Sequence, residues 1–236
     1  MSRIGSQPMP ARLASSLLFG RRSLPVVMHA GIVLVAIAVA RAATASPDAT
    51  LCRESPEALA GGRVAVTELP PTDGQGVALR ACGVVDASPA AVWAVLRDCG
   101  KFEQFLPRVS RSRLESRDDE VVVCDETIDL PFPLRNLHSI SRVVESRLSN
   151  GGFERRWSLV RGTYRRLTGA WIVLPTEDSS GRSLLIYEVD MDPETVIPSF
   201  LIRHAQTAAA PEVFRAVRER VRQCGASTHA AACGPR

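Results

Sequence analysis

From Val109 to Asp192 the chain reads as one strand after another, and a single long helical pattern follows. That order narrows the fold more than any other feature. In "LLIYEVDM", Leu185, Tyr187, Val189 and Met191 alternate with Ile186, Glu188 and Asp190. One face is therefore apolar and the other mostly polar, as in an antiparallel sheet with a solvated side. "FERRWSL" alternates too, with Phe153, Trp157 and Leu159 on one face and Arg155 among them. Asn150-Gly151-Gly152 is a strong hairpin signal, and Arg117-Asp118-Asp119 and "TEDSSG" mark further turns. Two more strands, "RVAVTEL" and "VALRACGVVDA", come earlier.

A meander with one apolar face must cover it with another layer. The only element long enough is the helix predicted over 198–223, where Phe214, Val217 and Val221 recur at helical spacing opposite Arg215, Arg218 and Arg222. Pro211 predicts a kink or a division of that helix. Upstream, "SFLIRHAQTAAA" offers small alanines that allow close approach to whatever lies beneath. A curved sheet and one rod have different shapes, so a cavity is expected between them.

Between the early strands and the long series, Ser88-Pro89 opens a short helix over 89–97. Serine can cap the first free amides, and proline's fixed φ suits the first helical position. Gly100 ends it, and "KFEQF" makes a second short helix stopped by Pro107. Asp98 is expected to close the turn between them.

Residues 1–45 stand apart. The apolar run "VVMHAGIVLVAIAVA" follows Arg21-Arg22 and precedes Ala43-Thr44-Ala45, the pattern of an export signal. An uncleaved membrane anchor is the alternative, although the run falls short of the roughly 20 residues a span needs. Residues 46–62 read as a polar leader, 63–224 as the folded domain, and 225–236 as a disordered tail. The five arginines of residues 1–45, with no acid among them, exceed the whole +4 charge of the chain, so the remainder is slightly acidic. That excludes a long-range pull on nucleic acid. Six cysteines follow residue 45. Cys52 and Cys99 stay open among many pairings, Cys82 and Cys124 read as buried thiols in apolar strands, and Cys224 with Cys233 could close a tail loop.

Catalytic signals are sparse. Outside the export signal and the tail, the histidines are His138 on a strand and His204 on the long helix. No metal-ligand spacing, phosphate loop, nucleophile elbow or cofactor motif is present, so no cofactor is expected. Asp190-x-Asp192 reads as a turn and helix-start feature. Arg155 either reaches solvent along its stem or enters the cavity, where it needs an anionic partner. Tyr187 offers a hydroxyl on an apolar wall.

"DASPAAVWAVLRDCGKFEQFLPRV", "LPFPLRN", "GAWIVLP" and "DPETVIPSFLI", in that order across about 77–222, resemble the START-like helix-grip superfamily, in its polyketide cyclase and coenzyme-Q-binding branch. The resemblance implies an α+β fold: a curved antiparallel sheet of about seven strands, two short helices supporting the long one, and that helix over the sheet. It places Trp93 beneath the sheet and Phe105 and Leu106 at the cavity rim. With the alternation, it makes Arg155, Trp157, Trp171 and Tyr187 candidate cavity residues on the sheet, and Phe200, Leu201 and His204 candidates on the helix. The implied function is an exported, periplasmic or secreted carrier of a hydrophobic small molecule such as a lipid, quinone or polycyclic compound, with transient membrane contact. A cyclase or aromatase is the alternative, expected to bring His204, Arg155 or Tyr187 within mutual hydrogen-bond reach. A membrane-anchored interaction module is the third reading.

Overall fold

The computed structural model describes Cys52, Ala58, Leu59 and residues 61–119, 121–178 and 181–226. The export signal, most of the leader and the tail beyond 226 lie outside the described residues. Eight strands, β1 (Ala65–Leu69), β2 (Val77–Val85), β3 (Val109–Asp118), β4 (Val121–Ile128), β5 (Leu137–Arg147), β6 (Phe153–Gly162), β7 (Tyr164–Pro175) and β8 (Ser183–Pro193), form one antiparallel sheet. Its order is β1-β2-β8-β7-β6-β5-β4-β3. The α+β helix-grip class is as expected, with eight strands in place of about seven.

The short helix α1 (Pro89–Leu96) begins as its sequence dictates: Ser88 Oγ accepts from the Ala91 amide at 3.4 Å, and Pro89 sits in the first turn. Val92, Val95 and Leu96 face the core, and Trp93 stacks on Phe153 with ring centroids 5.2 Å apart. The second short helix is a 3-10 turn over Cys99–Gln104. Asp98 makes no side-chain cap there and instead pairs with Lys101 at 3.0 Å.

The long helix α2 runs unbroken over Ser199–Ala226, so Pro211 does not divide it. Proline removes one backbone donor, a local loss that the burial of Phe214, Val217 and Val221 just downstream outweighs. Phe214 lies directly over Gly83 of β2, where a Cβ would meet its ring at 2.7 Å. Arg218 Nε donates to the Val84 carbonyl at 3.0 Å. Here helix and sheet touch with nothing between them.

The cysteines correct the sequence reading. Cys82 and Cys124 are not thiols: disulfides join Cys52 to Cys82 and Cys99 to Cys124. Cys82 lies on the outer sheet face and Cys124 on the inner one, so each apolar strand position had a partner in a neighbouring segment. Cys224 is disulfide-bonded as well; Cys233, with which a tail loop was expected, lies outside the described residues. Cys52 is buried with Cys82, Ala170, Ile172, Leu174, Leu184 and Ile186, and Leu59 packs on the same patch. Part of the leader thus covers the outer face of β2, β8 and β7. Asp190 and Asp192 also differ from expectation. They lie within β8 and are held by arginines, Arg166 at 2.8 Å and Arg165 at 2.7 Å, so they form no turn.

Candidate functional site: a cavity between sheet and helix

Strand register brings inward side chains into rows. Arg155 of β6, Trp171 of β7 and Tyr187 of β8 are direct neighbours, and Trp157 sits opposite Gly169. A Cβ at Gly169 would lie 2.2 Å from Trp157 Cζ2, so glycine alone lets the indole lie flat on β7. Tyr187 stacks on Trp157 at 6.0 Å and meets Trp171 at a tilt, with ring centroids 4.5 Å apart. These rings floor a cavity of about 200 Å³. Its sides are Leu106, Ile128, Leu130, Leu137, Leu167 and Met191, and its roof is Ala205, Gln206, Ala209, Glu212 and Val213 of α2. The alanines leave the space unfilled, because a methyl group at 205 and 209 cannot span the gap to the sheet.

Five expected residues, Leu106, Arg155, Trp157, Trp171 and Tyr187, converge on this cavity. Four do not. Phe105 turns away, meeting Phe102 edge-on at 5.9 Å with the Arg220 guanidinium over its face at 5.7 Å. Phe200 and Leu201 are 65% and 48% exposed, and His204 is exposed beside them. On the helix it is 205, 206, 209, 212 and 213 that line the cavity, Ala205 and Glu212 at its solvent-exposed mouth, and the apolar residues of the first turn stay exposed. His138 lies outside the cavity, with Nε2 3.0 Å from Asp125 on the outer face.

Arg155 does not reach solvent. It is 2% exposed. One terminal nitrogen donates to the Leu96 carbonyl and the other to Cys124 Sγ at 3.6 Å, and the guanidinium lies 5.4 Å from the Phe102 ring. Burial lowers its proton affinity, while Glu126 and Glu145 act to restore it.

Glu126 is the residue the sequence reading missed. It follows Cys124 by two positions and so shares its inward face; the alternation Val122, Cys124, Glu126, Ile128 carried the signal. Its carboxyl opens on the cavity with no hydrogen-bond partner among the described residues. Burial pushes it upward, Arg155 draws it down, and Asp125 raises it. Ser139, its register partner on β5, and Ser141 line the same wall. Burial also raises the Tyr164 and Tyr187 hydroxyls above their usual range, so both stay neutral donors.

Glu126, Cys99 and Cys124 lie within 4.8 Å of one another, but the sulfurs are bonded together and offer no thiolate to a metal. Among the described residues no histidine reaches a cavity hydroxyl, and His204 stands apart from Arg155 and Tyr187, so the constellation a cyclase was expected to show is not formed. What the site can do is enclose an apolar body and hydrogen-bond one polar end.

A sheet gripping a long helix over such a space defines the START-like helix-grip class. The chain belongs to the polyketide cyclase / dehydrase and lipid transport family, whose pattern it matches over residues 85–218. Among solved structures it is similar to the STAR-related lipid transfer protein of Xanthomonas axonopodis, at 21% identity and TM-score 0.60, over 68% of this chain and 94% of that one. It is also similar to human StAR-related lipid transfer protein 5, at 14% identity and TM-score 0.60, over 69% and 83%. No curated protein sequence matches it. The family and fold make the chain a hydrophobic ligand-binding domain.

Proposed function

We propose that this protein is a non-catalytic carrier of a hydrophobic small molecule, a lipid, quinone or polycyclic compound, exported to the periplasm or beyond. The observation that carries the reading is the cavity floored by Trp157, Trp171 and Tyr187 and roofed by alanines. At about 25 cal/mol per Å², burying a few hundred Å² of ligand contributes several kcal/mol without any polar contact. Two disulfides suit an oxidising compartment.

Transient membrane contact follows from the same end of the sheet. Phe132, 96% exposed, lies on the loop between Leu130 and Leu137, both of which line the cavity. Val196, also 96% exposed, leads with Phe200 and Leu201 into α2. Four apolar side chains beside a cavity mouth suit a bilayer surface. Among the described residues no helix is long and apolar enough to cross a membrane.

Solvent extraction of protein purified from its native host, with mass spectrometry of the extract, tests the carrier reading. A hydrophobic compound in near-stoichiometric amount is expected. Protein that is repeatedly empty and also refuses lipid and quinone probes would overturn it. N-terminal sequencing tests export: a start at or near Ser46 is expected, and an intact first residue would favour a retained anchor.

A further inference from the structure

Arg155 is buried in the cavity wall without an ion pair among the described residues, although Glu126 and Glu145 act on it through space. Its two terminal nitrogens meet a carbonyl and a sulfur, and Nε is buried with no partner among the described residues. No carboxylate lies within ion-pair distance among the described residues. Glu145, its register neighbour, is already engaged by Arg117 at 2.7 Å and Arg97 at 3.6 Å. A buried charge without a counter-charge is costly. In the same cavity, Glu126 has no hydrogen bond, and the Ser139 and Ser141 hydroxyls have no acceptor, among the described residues.

Resting on the carrier reading above, we propose that the preferred guest is an amphiphile ending in a carboxylate. The ligand's carboxylate supplies the direct ion-pair partner that Arg155 lacks, protonated Glu126 donates a hydrogen bond to it, and Ser139 and Ser141 donate to its remaining lone pairs.

Two carboxyl groups in one water-poor site do not both ionise, so one proton is held between them. When Glu126 is ionised in the free protein, a proton from solvent must join its carboxylate oxygen as the ligand enters. The other ionisable groups lining the cavity are Arg155 on β6, Tyr164 on β7, Tyr187 on β8, Glu212 on α2 and Arg108 before β3. Asp125, beside Glu126 on β4, points outward and is held by His138 and Arg111. Both tyrosines stay neutral, and Glu126 is the cavity carboxyl that acts most strongly on Arg155, so it is the group that takes the proton. Burial already pushes it toward the protonated form. A neutral alcohol of equal chain length brings no charge and needs no proton.

The full chain is titrated calorimetrically with dodecanoate and with 1-dodecanol, from about pH 6 to about pH 9, above the carboxylic acid's own titration. Dodecanoate is expected to bind more tightly at the low end and to lose about tenfold in affinity per pH unit once Glu126 ionises. Dodecanol is expected to show no pH dependence. Glu126→Gln, which mimics the protonated acid, is expected to keep dodecanoate binding and abolish its pH dependence. Arg155→Met is expected to lose dodecanoate at least tenfold more than dodecanol. Should that variant not fold, the Glu126→Gln profile decides alone. Dodecanol binding without dodecanoate, or dodecanoate binding with a flat wild-type profile, would overturn this inference and leave the carrier reading standing. Failure of both ligands would overturn both.

Discussion

The two halves of α2 treat the same sheet in opposite ways. Around Phe214, Val217 and Val221 the helix is pressed onto β2 and α1, with a glycine at Gly83 so that ring and backbone can meet. Around Ala205 and Ala209 it stands off, and aromatic side chains of the sheet face a space. One helix thus acts as a clamp at one end and a lid at the other. Stability concentrates where side chains fill the interface, and binding capacity lies where they are withheld.

The comparison breaks most visibly at the clamp. Phe214→Ala is expected to cost about 3–5 kcal/mol of unfolding free energy, read by urea denaturation, because it empties a fully buried site. A cost below about 1 kcal/mol would mean the clamp does not hold the fold. Next comes the wall of the open half. Replacing Cys99 and Cys124 with alanine removes a link across 25 residues and is expected to cost about 3 kcal/mol. Amide exchange should quicken in the 3-10 turn and β4 and stay unchanged in β2 and β8; uniform quickening would deny that the halves are separable.

Ala209→Leu sharpens the contrast. It fills the space beneath the lid, so hydrophobic probe binding should fall at least tenfold while stability shifts by less than about 1 kcal/mol. Equal losses in both would show that this half is packed like the other. The smallest effect belongs to Asp190, which fastens the β1–β2 turn to the outer face of β8 and β7 by accepting from the Thr72 amide at 2.9 Å and from Arg166 at 2.8 Å. Burial alone would raise its pKa, but the bonds from Thr72 and Arg166 hold it below the usual carboxylate range. A lowered folded-state pKa contributes stability above the unfolded value near pH 4 that disappears as pH falls through the folded one. Asp190→Asn should therefore cost about 1 kcal/mol at neutral pH, and the gap to wild type should close in acid. A gap constant with pH would refute the ionic contribution.

The clamp was legible in the sequence and the lid was not. Phe214, Val217 and Val221 repeat at helical spacing, and a repeating apolar face reports burial directly. Phe200 and Leu201 are equally apolar, yet they stay exposed, since hydropathy alone does not tell which apolar residues of a helix find a surface to cover. On the strands, period-two alternation placed Arg155, Trp157 and Tyr187 on the inner face, as found. Glu126 obeys the same alternation, but a carboxyl on an apolar face runs against what hydropathy leads one to expect, so the pattern alone does not single it out. The disulfides depended on contacts between segments distant in sequence, which no local pattern encodes.

The central claim is that the lid half is hollow so that a guest can lie there. A crystal structure of protein isolated from its own host without denaturation tests it most directly. The account predicts continuous density of a bound molecule beneath Ala205 and Ala209, running toward Arg155. A space closed by Trp157, Tyr187 and an inward-shifted α2, with no molecule in it, would contradict the account.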